Sequence, residues 1–598
     1  MNHASMSQPA VDPLSAAFEQ HRAGNLPLAE KLYRELLEHQ PQCPDAWHLW
    51  GALCLQQKRF AEAVERISRA ITLCDSNADF YSHLGAAQSE LGQHDQAIAC
   101  LRRAVQLAPQ SSAVHYNLGT ALLKQGRRED AIVSFRHAVA ADPDSAIAHY
   151  NLANTLGEVK RLDEAVASYR EALRARPGYV KAMINLGNAL REQRQLVEAI
   201  ELLQAAVAGE PEYAGSHLNL GVALRDAGKY QDSVDSLRRA VALDPHSAEA
   251  HNNLGTALQS LARFDEALAC YEEALRLNPE LPEAHFSRAT HRLRQGDVGR
   301  GFEEYEWRWR CKTYSTRQFT QPRWDGSPLD GRTILLHAEQ GLGDTLQFVR
   351  YAAAVKQRGG HVILECQAPL TNILASCAGI DRLVVASTGA VLALPHFDVH
   401  CPLMSLPGVL NLAIDQLAVE PYLAADPGLV EKWRAELAGI SGLRVGIAWQ
   451  GNPQHLFDAQ RSFRLEQFAP ATQIAGVRLI NLQKGPGAEQ AADCGFELLG
   501  LGPRLDETTG AFMDTAAVMR NLDLVITSDT AVAHLAGALG VPVWVALSAH
   551  GDWRWFVGRD DSPWYPTMRL FRQRQLGDWH EVFARITTEL RALAARAT

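Results

Sequence analysis

A period of 34 residues governs the first half of the chain. Leu-Gly pairs recur at Leu84-Gly85, Leu118-Gly119, Leu186-Gly187, Leu220-Gly221 and Leu254-Gly255. Leu152-Ala153 fills the one gap, and Trp50-Gly51 is in phase upstream. Pro41, Pro109, Pro143, Pro177, Pro211, Pro245 and Pro279 lie on the same grid. A fixed period of this length demands a stack of like supersecondary units, none of which can bury its apolar face alone, and such stacks commonly grip other proteins. The period stops near residue 310, so a different architecture must follow.

Each unit reads as two amphipathic helices. The first carries the Leu-Gly pair, whose small residue lets the helices approach. The second carries small residues at Ala29, Ala63, Ala97, Ala131, Ala165, Ala199 and Ala267, with Ser233 as the exception. The grid prolines mark the turn after the second helix, which cannot continue through them. These positions resemble the tetratricopeptide repeat over residues 12–310, with about eight repeats and a degenerate unit, Pro282 to Arg310, expected to cap the stack. Asn117, Asn151, Asn185, Asn219 and Asn253 share one phase and are expected on the concave face. An amide offers a donor and an acceptor together, matching a peptide bond. The row resembles the asparagine ladder of the eukaryotic O-linked N-acetylglucosamine transferase; asparagine is equally common here in repeats that bind no peptide this way. A parallel stripe of His115, His149, His217, His251 and His285 lies one repeat apart. That spacing, roughly 10 Å, is too wide for members to share an ion with ligand bonds of about 2 Å, so helix packing is the expected role.

At 598 residues two or more domains are expected. A net charge of -10 argues against nucleic acid as a partner. The ten cysteines show no CxxC spacing, which points to reduced thiols rather than a disulfide framework or zinc site. Neither a signal peptide nor a membrane span is read from the sequence, and a cytoplasmic location is expected.

From about Trp324, β-rich runs alternate with helical stretches: Thr333 to His337, Val362 to Cys366, Leu383 to Ala386, Val445 to Trp449, Leu479 to Leu482, Leu524 to Thr527 and Val541 to Ala546. Such alternation implies parallel sheets with helices on both faces and a ligand cleft at the strand C-termini. Three strand-end loops carry chemistry. In TILLHAEQGLGD, Gly341 and Gly343 turn the chain before Asp344, readable as a helix cap or as a carboxylate at the cleft mouth. In RVGIAWQGNPQHLFDAQRSF, Arg461 and Ser462 are expected to open a helix, a combination that suits a diphosphate. In DLVITSDTAVAHLAGALG, Ser528, Asp529 and Thr530 lead into a helix holding His534, where free N–H groups and the Thr hydroxyl suit phosphate oxygens. Lys484, in Gln483-Lys484-Gly485, lines a base pocket or an ordinary turn. HGDWRWFVGRDDSPWYP gathers Trp553, Arg554, Trp555, Trp564 and Tyr565, either at a cleft edge or as core packing.

The S-D-T-x-x-x-H-L-A-x-A-L-G-x-P segment and the G-D turn resemble the heptosyltransferase-like family of GT-B glycosyltransferases, over most of residues 331–598. The resemblance implies two Rossmann-like lobes, at 331–425 on the acceptor side and 426–598 on the nucleotide-sugar side, after a linker at 311–330. It further implies Asp344 as general base, and Asp529, Thr530 and His534 on the donor, with no cofactor and no metal. Ala531 stands where the family usually has Gly, and Arg461 where Lys is common, which leaves the sugar and nucleotide unassigned. Joined to protein-gripping repeats, such a domain is expected to glycosylate a protein, flagellin-like or adhesin-like by analogy. The alternatives are a non-catalytic scaffold with a decayed transferase half and a lipopolysaccharide-type heptosyltransferase.

Overall fold

The computed structural model describes residues 12–312, 314, 317–386, 394–412, 414, 420–454 and 458–597. Two compact units, Met1–Pro245 and His246–Thr598, divide the chain.

The first unit is all-helical, running from α1 (Pro13–Arg22) to α14 (Tyr230–Leu243) as seven antiparallel hairpins. The expected small positions are the contact points. A Cβ on Gly119 would sit 2.7 Å from the Phe135 ring, and one on Gly221 2.5 Å from Leu237. Ala63, Ala97, Ala131, Ala165 and Ala199 are fully buried. Ser233, the exception to the alanine row, donates its hydroxyl to the Gly221 carbonyl at 2.6 Å.

Hydrogen bonds explain the histidine stripe and the proline grid together. His115 Nε2 lies 2.9 Å from the Pro109 carbonyl oxygen, His149 3.1 Å from that of Pro143, and His217 2.9 Å from that of Pro211. Trp47 makes the same bond to Pro41 at 3.0 Å. A carbonyl only accepts, so the imidazole must carry its proton on Nε2. His115, His149, His217 and, at 2.8 Å from the Pro279 carbonyl, His285 thus latch their helices onto the turn six residues earlier, which accounts for these positions by helix packing. Replacing His149 by Phe keeps the ring and loses the latch; the repeat unit should lose about 1 kcal/mol of stability, read as a lower thermal midpoint. The exposed Val197→Ala control should not shift it.

The second unit starts with the hairpin α15 (Ala248–Ser260) and α16 (Phe264–Leu277), followed by α17 (Pro282–Arg294), α18 (Val298–Tyr305) and a 3₁₀ turn over Glu306–Arg310. The hairpin of α17 and α18, the degenerate unit of the sequence, has an apolar side. Ala289, Leu293, Phe302 and Tyr305 join the same hydrophobic cluster as Leu336 and Val543 of the sheets, since leaving these side chains in water would cost their transfer free energy.

All seven strands expected in the C-terminal half are present, within one or two residues. One sheet contains β1 (Thr333–His337), β2 (His361–Cys366), β3 (Arg382–Val385) and β4 (Val399–Pro402), in the order β3-β2-β1-β4. The other contains β5 (Leu443–Ala448), β6 (Val477–Asn481), β7 (Leu524–Ser528), β8 (Val543–Leu547) and β9 (Met568–Arg572), in the order β6-β5-β7-β8-β9. Every ladder between named strands is parallel, as the alternation implied. Strands β4 and β9 were not expected: VHCP is short and ends in proline, and MRLFR is an edge strand broken by arginines. The expected connection after Asp426 is the helix Pro427–Leu437, capped by the Asp426 carboxylate at 2.8 Å from Leu429 N.

Candidate functional site

In both sheets the strand order reverses beside the strand that feeds a candidate loop. The reversal lies between β1 and β4 in one and between β5 and β7 in the other, the places where open parallel sheets bind ligands. Asp344 lies beyond β1, Arg461 beyond β5 and Asp529 beyond β7.

The β1 loop turns into α19 (Leu342–Phe348) with Gly341 as N-cap. Asp344 is its third residue, and its Oδ2 accepts from Gly341 N at 2.8 Å. Asp344 is therefore not the N-cap that the sequence offered as one reading; Gly341 holds that place, and the Asp344 carboxylate reaches back to it from inside the first turn. Its other oxygen forms an ion pair with the buried Arg554, which also reaches Asp552 at 2.7 Å. Arg554 thus clasps two loops, and Asp344 is held by both a backbone N–H and a guanidinium.

On the opposite side Thr530 caps the helix Ala531–Ala538. The first N–H groups of this helix have no partner within it. His534 sits one turn inside, fully packed: Nδ1 is 3.0 Å from Tyr565 Oη, and the ring stacks on Trp555 at 5.2 Å. Burial, with Arg554 nearby, pushes its pKa down to about 3, so the imidazole is neutral. The two helices touch here. A Cβ on Gly343 would lie 2.8 Å from His534 Cδ2, which explains the glycine as a matter of space.

Asp529 is half-buried beside this contact. Burial, then the Asp552 carboxylate, raises its pKa to about 6, against the pull of Arg461 and Arg554. A carboxyl raised in the folded state contributes stability that is present below pH 4 and lost as pH rises through 6. Asp529→Asn should therefore raise the thermal midpoint at pH 8 and leave it unchanged at pH 4. An equal shift at both pH values would refute the assignment.

Not all the expected residues converge. Arg461 ends the short helix Asp458–Arg461 rather than opening a helix, because Asp458 ties the turn: its Oδ1 accepts from Ser462 Oγ at 3.0 Å and lies 3.4 Å from Arg461 Nε. Ser462 in turn accepts from Gly451 N at 3.0 Å, serving the loop rather than a ligand. Arg461 still acts electrostatically on Asp529 and His534. Lys484 turns away to the Leu505 carbonyl and Glu507. Gln483 staples two loops, accepting from Trp449 N at 2.9 Å and donating to the Pro486 carbonyl at 2.8 Å. The Ser528 hydroxyl is fully buried at the end of β7, without a partner among the described residues.

The aromatic segment resolves into both of its readings. Trp553, Trp555, Trp564 and Tyr565 are buried core residues, while Arg554 between them enters the site. Asp552 is the residue that the sequence did not single out; its spacing to Arg554 was the only signal.

Along the repeats, the ladder amides are half-buried and their N–H groups are already engaged. Asn117 donates to Ser82 Oγ at 3.0 Å, Asn151 to Tyr116 Oη at 3.2 Å and Asn185 to Tyr150 Oη at 3.2 Å, each bond joining consecutive repeats. Asn219 and Asn253 donate to carbonyls of their own helices, Gly215 at 2.7 Å and Glu249 at 2.9 Å. A groove of about 350 Å³ runs beside Asn185, lined also by Asn154, Asn188, Tyr169, Glu158 and Glu192.

Tetratricopeptide-repeat models match residues 20–78, 84–146, 116–180 and 150–217, then 223–262 and 248–281, so the N-terminal part carries these repeats. Protein FlbA of Caulobacter vibrioides is 30% identical over 333 residues, which cover 52% of this chain and 55% of that protein. The chain thus spans about half the length of this curated relative. Among solved structures, YrrB, a TPR protein with an unusual peptide-binding site, is 21% identical, with 31% of this chain and 97% of that one covered at a TM-score of 0.28. PilF of Pseudomonas aeruginosa is 22% identical, with 36% and 98% covered at a TM-score of 0.32. No helix among the described residues is long and apolar enough to cross a membrane.

Proposed function

We propose that the chain is a glycosyltransferase that moves a sugar from a nucleotide-sugar onto a hydroxyl of a protein held by its repeats. Tetratricopeptide repeats imply a protein-interaction role, and that part of the reading stands on the repeats themselves. The transferase part rests on one observation: the Asp344 loop and the Asp529–His534 loop, each at the strand-order reversal of its parallel sheet, meet at the Gly343–His534 contact.

Asp344 takes the proton of the acceptor hydroxyl, whose oxygen attacks the anomeric carbon from the side opposite the diphosphate. The bond from that carbon to the diphosphate oxygen breaks, and the nucleoside diphosphate leaves with the electron pair. Attack from the far side inverts the anomeric centre. Arg461, with the N-terminus of the helix Ala531–Ala538, stabilises the charge on the leaving group. The neutral, fixed His534 shapes this wall rather than contributing charge.

The ladder takes a narrower role than a complete amide array. With the Nδ2 groups of Asn117, Asn151 and Asn185 bonded across repeats, their side-chain oxygens are what face an incoming chain, so they accept from peptide N–H groups. Replacing all five asparagines by Ala should lower modification of the protein acceptor at least tenfold while leaving release of nucleoside diphosphate without acceptor unchanged. An unchanged rate of acceptor modification would remove the ladder from the account. The enzyme itself is tested by incubating the full chain with UDP-, ADP-, GDP- and CMP-sugars and measuring nucleotide release. Failure to bind or turn over any of them would favour the scaffold alternative.

A further inference from the structure

The last repeat hairpin reaches both loops of the proposed site, and each reach is made by one buried arginine. Arg308, with no exposed surface, lies in the 3₁₀ turn after α18. Its guanidinium pairs with Glu339 at 3.0 Å, donates to Ser405 Oγ at 2.7 Å and donates to the Tyr305 carbonyl at 3.2 Å. Glu339 opens the loop that ends in Asp344, and its carboxylate also accepts from Met404 N at 3.0 Å. The neighbouring Gln340 donates to Tyr305 Oη at 3.3 Å and accepts, through its carbonyl, from Gln367 at 2.8 Å. Five residues before Asp344 the loop is therefore fastened to the repeat hairpin rather than to the sheet alone.

Arg294, the last residue of α17, fastens the other loop. Its guanidinium donates to the His550 carbonyl and, at 2.6 Å, to the Gly551 carbonyl, immediately before Asp552 and Arg554. Its own carbonyl accepts from Val557 N at 3.0 Å, so the segment carrying Asp552 and Arg554 is gripped at both ends. Phe302 and Tyr305 close the joint, with rings 5.6 Å and 6.0 Å from Trp553.

We infer that Arg294 and Arg308 are positioning residues of the transferase site, so that the final repeat hairpin is part of the enzyme and not an appended binding module. The inference rests on the glycosyltransferase reading. Arg308 sets the height of the Asp344 loop, Arg294 sets the Asp552–Arg554 loop, and the Asp344–Arg554 ion pair joins the two. A guanidinium fork spans several fixed acceptors, which an ammonium cannot do. Misplacing a reacting group by about 1 Å costs on the order of 100-fold in rate.

The test uses the full chain with Arg308→Met, Arg308→Lys, Arg294→Met and, as a control in the same turn, Arg310→Met. Arg310 stacks over Trp307 and pairs with the exposed Glu280, touching neither loop. Nucleotide release, donor KM, nucleotide affinity and thermal midpoint are measured for each, with rates normalised to the folded fraction. Arg308→Met and Arg294→Met should lower kcat about 100-fold with donor KM and nucleotide affinity within threefold of wild type. Arg308→Lys should fall between, and Arg310→Met should match wild type. Wild-type kcat per folded molecule in both Met variants overturns the positioning role. A rise in donor KM with unchanged kcat overturns it too, since that marks a binding residue. No release by the wild-type chain, in contrast, overturns the glycosyltransferase reading beneath it.

Discussion

Asp344→Ala should abolish sugar transfer, lowering kcat by about 1000-fold, while nucleoside diphosphate binding persists within threefold. The structure sharpens why these two outcomes should separate. Asp344 stands on the β1 loop, whereas Arg461 and the helix Ala531–Ala538 belong to the other sheet, so the proposed donor contacts and the proposed base lie on different elements. Truncation removes the carboxylate and leaves Arg554 with Asp552 as its remaining anionic partner. Because Asp344 also holds the start of α19 through Gly341 N, the alanine variant should lose about 1 kcal/mol of stability. Asp344→Asn separates the two effects: an amide oxygen can still accept from Gly341 N, but it cannot take a proton from the acceptor. The Asn variant should be as inactive as the Ala variant and more stable. Normal transfer by folded Asp344→Asn would reassign the base.

Arg554→Met is expected to cause the largest loss of stability. Arg554 is nearly fully buried, and burial alone would work against its charge; the Asp344 and Asp552 carboxylates outweigh that and hold it protonated far into the alkaline range. In return it keeps Asp552 below the ordinary carboxylate range despite burial. Removing one member of a buried pair leaves the others uncompensated, at a cost of about 3–5 kcal/mol. The sign of the pH dependence follows. Without Arg554 the folded-state pKa values of Asp552 and Asp529 rise, so stability falls as pH rises through them. The defect should be larger at pH 8 than at pH 5 in thermal or urea unfolding. Arg559→Met is the comparison: that residue pairs with the exposed Asp561 on the same loop, and such surface pairs contribute about 0–1 kcal/mol. Equal defects at pH 5 and pH 8 would mean that packing on Trp553, not charge, is what Arg554 supplies.

The regular parts of the fold were legible because period carries them. Leu-Gly pairs, buried alanines and grid prolines each repeat a local cause, and apolar runs bounded by turns mark buried parallel strands. Strands β4 and β9 escaped because four or five residues with proline or arginine show no period. Within the site, legibility followed chain locality. Gly341, Asp344, Asp529, Thr530 and His534 were readable because each sits in one strand–loop–helix segment. Arg554 reaches Asp344 across 210 positions and Arg294 reaches Gly551 across 257, so only the fold could join them. The same distance hides what the final hairpin packs on: as a sequence it is a worn repeat, and in the structure Ala289, Leu293, Phe302 and Tyr305 also join the core that holds the sheets. Arg461 was misplaced for a local reason, since Asp458 ends the helical turn that Arg461 was expected to begin.

Whether one chain both holds a protein and glycosylates it is read by intact-mass spectrometry. The protein that co-purifies with the full chain is incubated with the nucleotide-sugar that the chain turns over, using wild type and Asp344→Asn in parallel. The partner should gain the mass of one or more sugar residues with wild type and none with the variant. A partner that stays bound and unchanged in mass while the donor is consumed would contradict it.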